Sequence, residues 1–154
     1  MRKFDEHTWG DSVSAINVVP AGAAPFWLTP GGAVEPGETR REAAARELHE
    51  ETGITVAPAS LLGPVWRREH RFEWDGVVIQ QQEEFLFVRH NGTVEAALNN
   101  VDSVEAATNR SLRWWPIEDA ASAGIERFVP ASLIHHLQLL LLDGVPDKPH
   151  DVGS

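Results

Sequence analysis

Residues 38–54 read ETRREAAARELHEETGI, entered from the turn-forming run Pro30-Gly31-Gly32. This stretch combines a helix start, a glutamate face and a glycine stop. The Thr39 hydroxyl can cap the helix, and Glu42, three residues on, completes a capping box. Arg40 to Glu51 is rich in Ala, Arg, Glu and Leu, all favourable helix formers, and Gly53 supplies the left-handed stop. Glu47, Glu50 and Glu51 stand at i, i+3 and i+4, so their carboxylates share one side of the helix. Like charges at that spacing repel by roughly 0.2–0.5 kcal/mol per pair. Two accounts fit such a cluster: a solvated acidic face, or a site for a hard divalent cation, which wants carboxylate oxygens at this density beside phosphates.

The flanking residues decide between them. Gly32, five residues, Glu38, seven residues and then Arg46-Glu47-Leu48-His49-Glu50-Glu51-Thr52-Gly53-Ile54 resembles the complete signature of the Nudix (MutT-like) hydrolase family. Every fixed place is filled, and Leu48 and Ile54 occupy the aliphatic places. The resemblance implies an α/β/α sandwich with a mixed β-sheet between helices. It also implies Mg²⁺ or Mn²⁺ held by Glu47, Glu50 and Glu51, with a carbonyl of the Gly31-Gly32 turn, that of Gly32, within reach. Glu50, Glu51 and Arg46 form the implied catalytic set: the general base lies among the glutamates, and Arg46 orients them, with Glu38 as its partner. Gly31, Gly32, Glu38 and Gly53 are implied structural positions. Relatives add a glutamate from outside the signature. Glu83 and Glu84 are the candidates, and as adjacent strand residues they point to opposite faces, so at most one serves; Glu84 is preferred.

The implied reaction is metal-dependent hydrolysis of the pyrophosphate bond in a nucleoside diphosphate linked to another moiety, such as a nucleotide-sugar-like diphosphate. RNA 5′-end pyrophosphohydrolysis is one alternative, and a non-catalytic nucleotide-binding regulatory domain is another. Homodimers are common among relatives, and the terminal apolar helix or the first strand would supply an interface.

Composition bounds the rest. A chain of 154 residues suits one domain, read as residues 1–142 with a flexible tail over 143–154. No apolar run approaches the roughly 18 residues of a membrane span, and MRKFDEHTWG lacks the apolar stretch of a secretory signal, so a cytoplasmic protein is expected. The absence of cysteine excludes disulfides, thiol nucleophiles and thiolate metal ligands. A formal charge of −10 argues against tracking along nucleic acid, which needs a Lys/Arg surface. Arg67, Arg68, His70 and Arg71 form the densest basic group and read either as substrate contacts or as a charged strand end.

Along the chain, Ser12 to Val19 reads as a strand, and Pro20 to Pro25 as a short loop before Phe26-Trp27-Leu28. That interval is shorter than in many relatives, which puts one wall of the substrate pocket in question. Ile54 to Ala57 reads as a brief strand and Leu61 to His70 as a longer one. Asp75-Gly76 forms a hairpin turn into the strand Val77 to Arg89. Val94 to Ala107 has no clear period, with a loop at Asn99-Asn100. Leu112 to Trp115 is a strand and Ile117 to Ser122 a helical turn. Pro130 opens a terminal helix through about Leu142. Core packing is the expected role for at least one of Trp114 and Trp115, and a packing or solvated role for His135 and His136.

Overall fold

The computed structural model describes residues 12–18, 24–90, 110–122, 124 and 127–153. The segment read without a clear period, residues 1–11 and most of the Pro20–Pro25 interval lie outside the described residues. Strands β1 (Ser12–Val18), β2 (Phe26–Leu28), β3 (Leu62–Trp74), β4 (Val77–Phe87), β5 (Arg110–Pro116), β6 (Phe128–Val129) and β7 (His150–Asp151) combine with helices α1 (Arg40–Thr52), α2 (Ile117–Ser122) and α3 (Leu133–Asp143). The result is a mixed α/β fold. Its strands fall into two hydrogen-bonded parts, β5-β1-β2-β6 and β4-β3-β7. Most neighbours are antiparallel, while β2 with β6 and β3 with β7 run parallel.

Helix α1 begins and ends where local chemistry dictates. The Thr39 hydroxyl accepts from the Glu42 N–H, and the Glu42 carboxylate accepts from the Thr39 N–H, closing the capping box. Gly53 takes φ 75° and donates to the His49 carbonyl, a left-handed stop that costs glycine little. Arg41 ties the helix to the start of β3 by donating to the carbonyls of Leu61 and Gly63.

The β3–β4 hairpin fixes which side chains face which helix. Arg67 lies opposite Glu84, and Arg68 opposite Glu83. Residues directly opposite share a face, and alternate residues change face. Trp66, Arg68 and His70 therefore share one face with Phe85, Glu83 and Gln81, and Arg67, Glu69 and Arg71 share the other with Glu84, Gln82 and Gln80. Trp66 meets His136 of α3 with ring centroids 6.0 Å apart, which places its face on the α3 side. Arg40 of α1 takes the Glu84 carboxylate at 2.7 Å, which places the opposite face on the α1 side.

The core lies where β2, β3, β5 and β6 meet α2 and α3. Trp115, 3% exposed, packs edge-on against Trp27 and Phe128, and Leu133 and Val65 are more deeply buried still. The Arg113 guanidinium covers the Trp115 ring at 3.6 Å, a cation–π contact on an already buried aromatic. Burial lowers the pKa of His136, aided by His135 and His150, in keeping with a packing role.

Three expectations are corrected. Ile54 to Ala57 is not a strand but a connection into a single 3₁₀ turn, Pro58–Ser60, because Pro58 starts a turn and no neighbouring strand among the described residues pairs with the segment. The terminal helix starts at Leu133 instead of Pro130, whose carbonyl accepts from the Leu133 N–H in a turn leading into the helix. The segment 143–154 is not a flexible tail throughout. Gly144 turns the chain, His150–Asp151 adds in parallel to β3, and the Val152 N–H donates to the Arg67 carbonyl. Val152 is 5% exposed within the main core cluster. One apolar side chain among polar neighbours left too little pattern to reveal this strand. Val152→Ala is expected to cost about 2 kcal/mol in a urea titration, whereas a disordered tail would give no change.

Candidate active site

The Gly31-Gly32 turn and α1 build the site. Strand β2 ends at Leu28, and Thr29-Pro30 carry the chain into the turn. The Gly31 N–H donates to the Glu51 carboxylate at 2.9 Å. Gly32 lies against Glu47 so closely that an added Cβ would overlap its carboxylate. Two of the three helix glutamates are thus packed onto one turn, and glycine is what allows the approach.

Arg46 holds the opposite side. It donates to Glu38 through Nη2 at 2.6 Å and Nε at 3.2 Å, to Glu47 at 2.7 Å, to Glu50 at 3.3 Å and to the Ala33 carbonyl at 3.0 Å. The bidentate pair with Glu38 is the strongest geometry available to these groups. It holds the Glu38 carboxyl below the ordinary carboxylate range, with help from the Glu35 N–H, and pushes the guanidinium pKa upward. Arg46 therefore stays charged and serves as a fixed brace. Glu50, whose side chain is 55% exposed, is the freest of the three glutamates.

The donor chemistry fits a hard divalent cation. The Glu47 and Glu51 carboxylates meet the glycine turn and Glu50 stands beside them on the helix, and Mg²⁺ or Mn²⁺ prefers such oxygens. Among the described residues, however, no three acidic or histidine side chains are gathered into one ligating group. Arg46 and the Gly31 N–H occupy the carboxylates instead.

The outlying residues divide by face. Glu84 lies on the α1 side, paired with Arg40 at the start of the helix. Arg40 precedes Glu47 by seven residues, about 10 Å of helix. Glu83 lies on the α3 side, where Arg68 donates to it at 3.2 Å and His70 stands 3.8 Å away. The basic group read as one unit is split by strand alternation: Arg68 and His70 face α3, while Arg67 and Arg71 are exposed on the other face. Sequence reasoning missed Arg40 as the partner of Glu84. An arginine in a first helical turn gives no local signal of its cross-element contact. His49, near the helix end, meets the Thr55 hydroxyl at 3.1 Å.

Comparison with known proteins agrees with this architecture. The NUDIX domain profile matches residues 17–137. A putative 8-oxo-dGTP diphosphatase of Bacillus subtilis is 34% identical over 90 residues, covering 58% of this chain and 50% of that protein. An RNA pyrophosphohydrolase of Cereibacter sphaeroides is 34% identical over 115 residues, covering 64% of each. Diphosphoinositol polyphosphate phosphohydrolase 3-alpha of Mus musculus is 34% identical over 95 residues, covering 61% of this chain and 49% of that protein. The chain thus spans between 49% and 64% of the length of these curated relatives. Among solved structures, the E. coli ORF135 protein aligns with a TM-score of 0.52 at 22% identity, over 88% of this chain and 86% of its own. A C. elegans Ap4A hydrolase binary complex aligns at 0.51 and 19% identity, over 85% of this chain and 86% of its own. At those identities the likeness concerns the fold alone. With its glutamate helix braced by Arg46 and seated on the Gly31-Gly32 turn, the chain belongs to the NUDIX domain family.

Proposed function

We propose that this protein hydrolyses the pyrophosphate bond of a nucleoside diphosphate linked to a second moiety, in the presence of Mg²⁺ or Mn²⁺. The observation that carries this is the seating of Glu47 and Glu51 on the Gly31-Gly32 turn, with Glu50 beside them. Glu47, Glu50 and Glu51 would hold the cation, with the Gly32 carbonyl and Glu84 as the further candidates. The cation would neutralise phosphate oxygens and lower the pKa of water.

The chain's own residues supply the rest. Glu50 or Glu51 takes the proton from the attacking water. The new P–O bond forms as the bond to the bridging oxygen breaks, and that oxygen leaves with the electron pair on the second phosphate. Arg46 keeps the glutamate face oriented through its bonds to Glu38 and Glu47. The family membership and the relatives' own names, each a diphosphatase, pyrophosphohydrolase or phosphohydrolase, support hydrolysis at phosphate. No helix among the described residues is long and apolar enough to cross a membrane.

A second substrate, the 5′ end of RNA, is favoured by several RNA pyrophosphohydrolases among the relatives. The net charge of −10 works against it, because polyanions are drawn to basic surfaces. A panel of nucleoside diphosphate derivatives, nucleoside triphosphates and 5′-triphosphorylated RNA, assayed with Mg²⁺, Mn²⁺ or EDTA, separates these cases. Metal-dependent release of two phosphate-bearing products from the diphosphate derivatives is expected. Metal-dependent binding without turnover of any member would overturn the enzyme in favour of a regulatory nucleotide-binding domain.

A further inference from the structure

A concavity lies on the α3 side of the β3–β4 hairpin. It is a cleft of about 580 Å³, lined by Phe128 and Ile134 on its apolar wall and by Arg68, Arg127, His135 and Gln138 on its polar wall. That volume is in the range of small-molecule sites. Among the described residues its lining includes two arginines and no carboxylate, although the chain as a whole carries −10. His135 and Gln138 are one helical turn apart on α3 and so present side by side.

Arg68 is the unusual member. Its side chain is 10% exposed, and one guanidinium nitrogen is paired with Glu83 at 3.2 Å. Its Nε is buried with no hydrogen-bond partner, and an unpaired buried donor is costly. Arg127, by contrast, is exposed at the rim. Arginine presents a planar fork that matches carboxylate and phosphate oxygens.

The chain segments that lead to the cleft and to the glutamate helix leave adjacent strand ends. Strands β2 and β6 run parallel, with Leu28 beside Val129. Three residues beyond Leu28 is Gly31, which holds Glu51. Immediately beyond Val129 are Pro130 and Ala131, in the cleft wall. Adjacent strands lie only about 4.8 Å apart, so the two segments start out side by side.

We infer that this cleft selects substrates whose moiety beyond the diphosphate carries an anionic group of its own, a carboxylate or a phosphate. The inference rests on the proposed hydrolysis for its reaction and on the cleft for its selectivity. Arg127 and Arg68 receive the anionic group, Gln138 and His135 donate to its neighbouring oxygens, and Phe128 and Ile134 cover its apolar surface.

Two matched pairs test it. UDP-glucuronate differs from UDP-glucose by a carboxylate, and NADP⁺ differs from NAD⁺ by a phosphate, so the pairs also tell the two sources of anion apart. The parent protein is assayed for hydrolysis, and both it and Glu51→Gln are assayed for equilibrium binding by calorimetry with Mg²⁺. At least one anionic member is expected to be preferred by about 10- to 100-fold. Arg127→Gln brings that ratio to parity, and Arg127→Lys, which keeps the charge, retains part of it. Hydrolysis without preference in either pair, or a preference that survives Arg127→Gln undiminished, would overturn the cleft assignment and leave the hydrolase standing. Preferential binding that Arg127→Gln abolishes, with no turnover by the parent, would support the cleft and sink the hydrolase.

Discussion

Glu51→Gln is expected to lower kcat for metal-dependent pyrophosphate hydrolysis by about 10²- to 10⁴-fold, with Glu50→Gln falling in the same range. Glutamine keeps the shape of the side chain, and in Glu51→Gln it can still accept from the Gly31 N–H, so the helix and turn should stay together. What it loses is the negative charge that holds a cation and the capacity to take a proton from water. The two variants also rank the roles. Glu51 is anchored by Gly31, whereas Glu50 is more exposed and bound only at 3.3 Å by Arg46. The variant with the larger fall in kcat at saturating Mn²⁺ marks the proton acceptor, since excess metal offsets a loss of affinity but not a loss of base. Parent rates in both variants, with the circular dichroism spectrum unchanged, would remove α1 from the chemistry.

Gly32→Ala should damage the same site without touching a carboxylate. A Cβ at this position would overlap the Glu47 carboxyl group. That group is the far end of a flexible side chain, so the glutamate swings away and the fold persists. Arg46 would follow or release it, because its Nη1 is bonded to Glu47 at 2.7 Å. The expected result is an Mn²⁺ affinity weaker by about 10- to 100-fold, read by electron paramagnetic resonance of the free ion. Hydrolysis at low metal should fall with it. Gly31→Ala is the control, since nothing lies within 4 Å of an added Cβ there. Equal Mn²⁺ affinity in the parent and both variants would show that Glu47 does not hold the metal.

Residues 38–54 were legible because their structure is local. A capping box, helix formers and a left-handed glycine are decided within a few residues of one another, and α1 runs from Arg40 to Thr52 as those signals require. The Glu38–Arg46 pair was legible for a related reason: the family spacing named both places, and the turn at Pro36-Gly37 brings Glu38 back beside the helix. Strand alternation in β4 likewise separated Glu83 from Glu84 in advance.

Sequence could not say which helix each face would meet. Glu84 reaches Arg40, and Glu83 reaches Arg68, because β3 and β4 lie between α1 and α3. The same layering divided the basic group of β3 and carried Arg68 to a cleft shared with Arg127, 59 positions further along the chain. It also drew Val152 into the core and added β7 to β3. The sequence by itself determined the acidic helix, its ends and the glycine turn before it, since short-range hydrogen bonds and backbone preferences set them. Tertiary structure alone decided where the partners of Glu83 and Glu84 lie and what surrounds the cleft of Arg68 and Arg127. Those contacts join segments far apart in the chain, and only burial of the shared core brings them together.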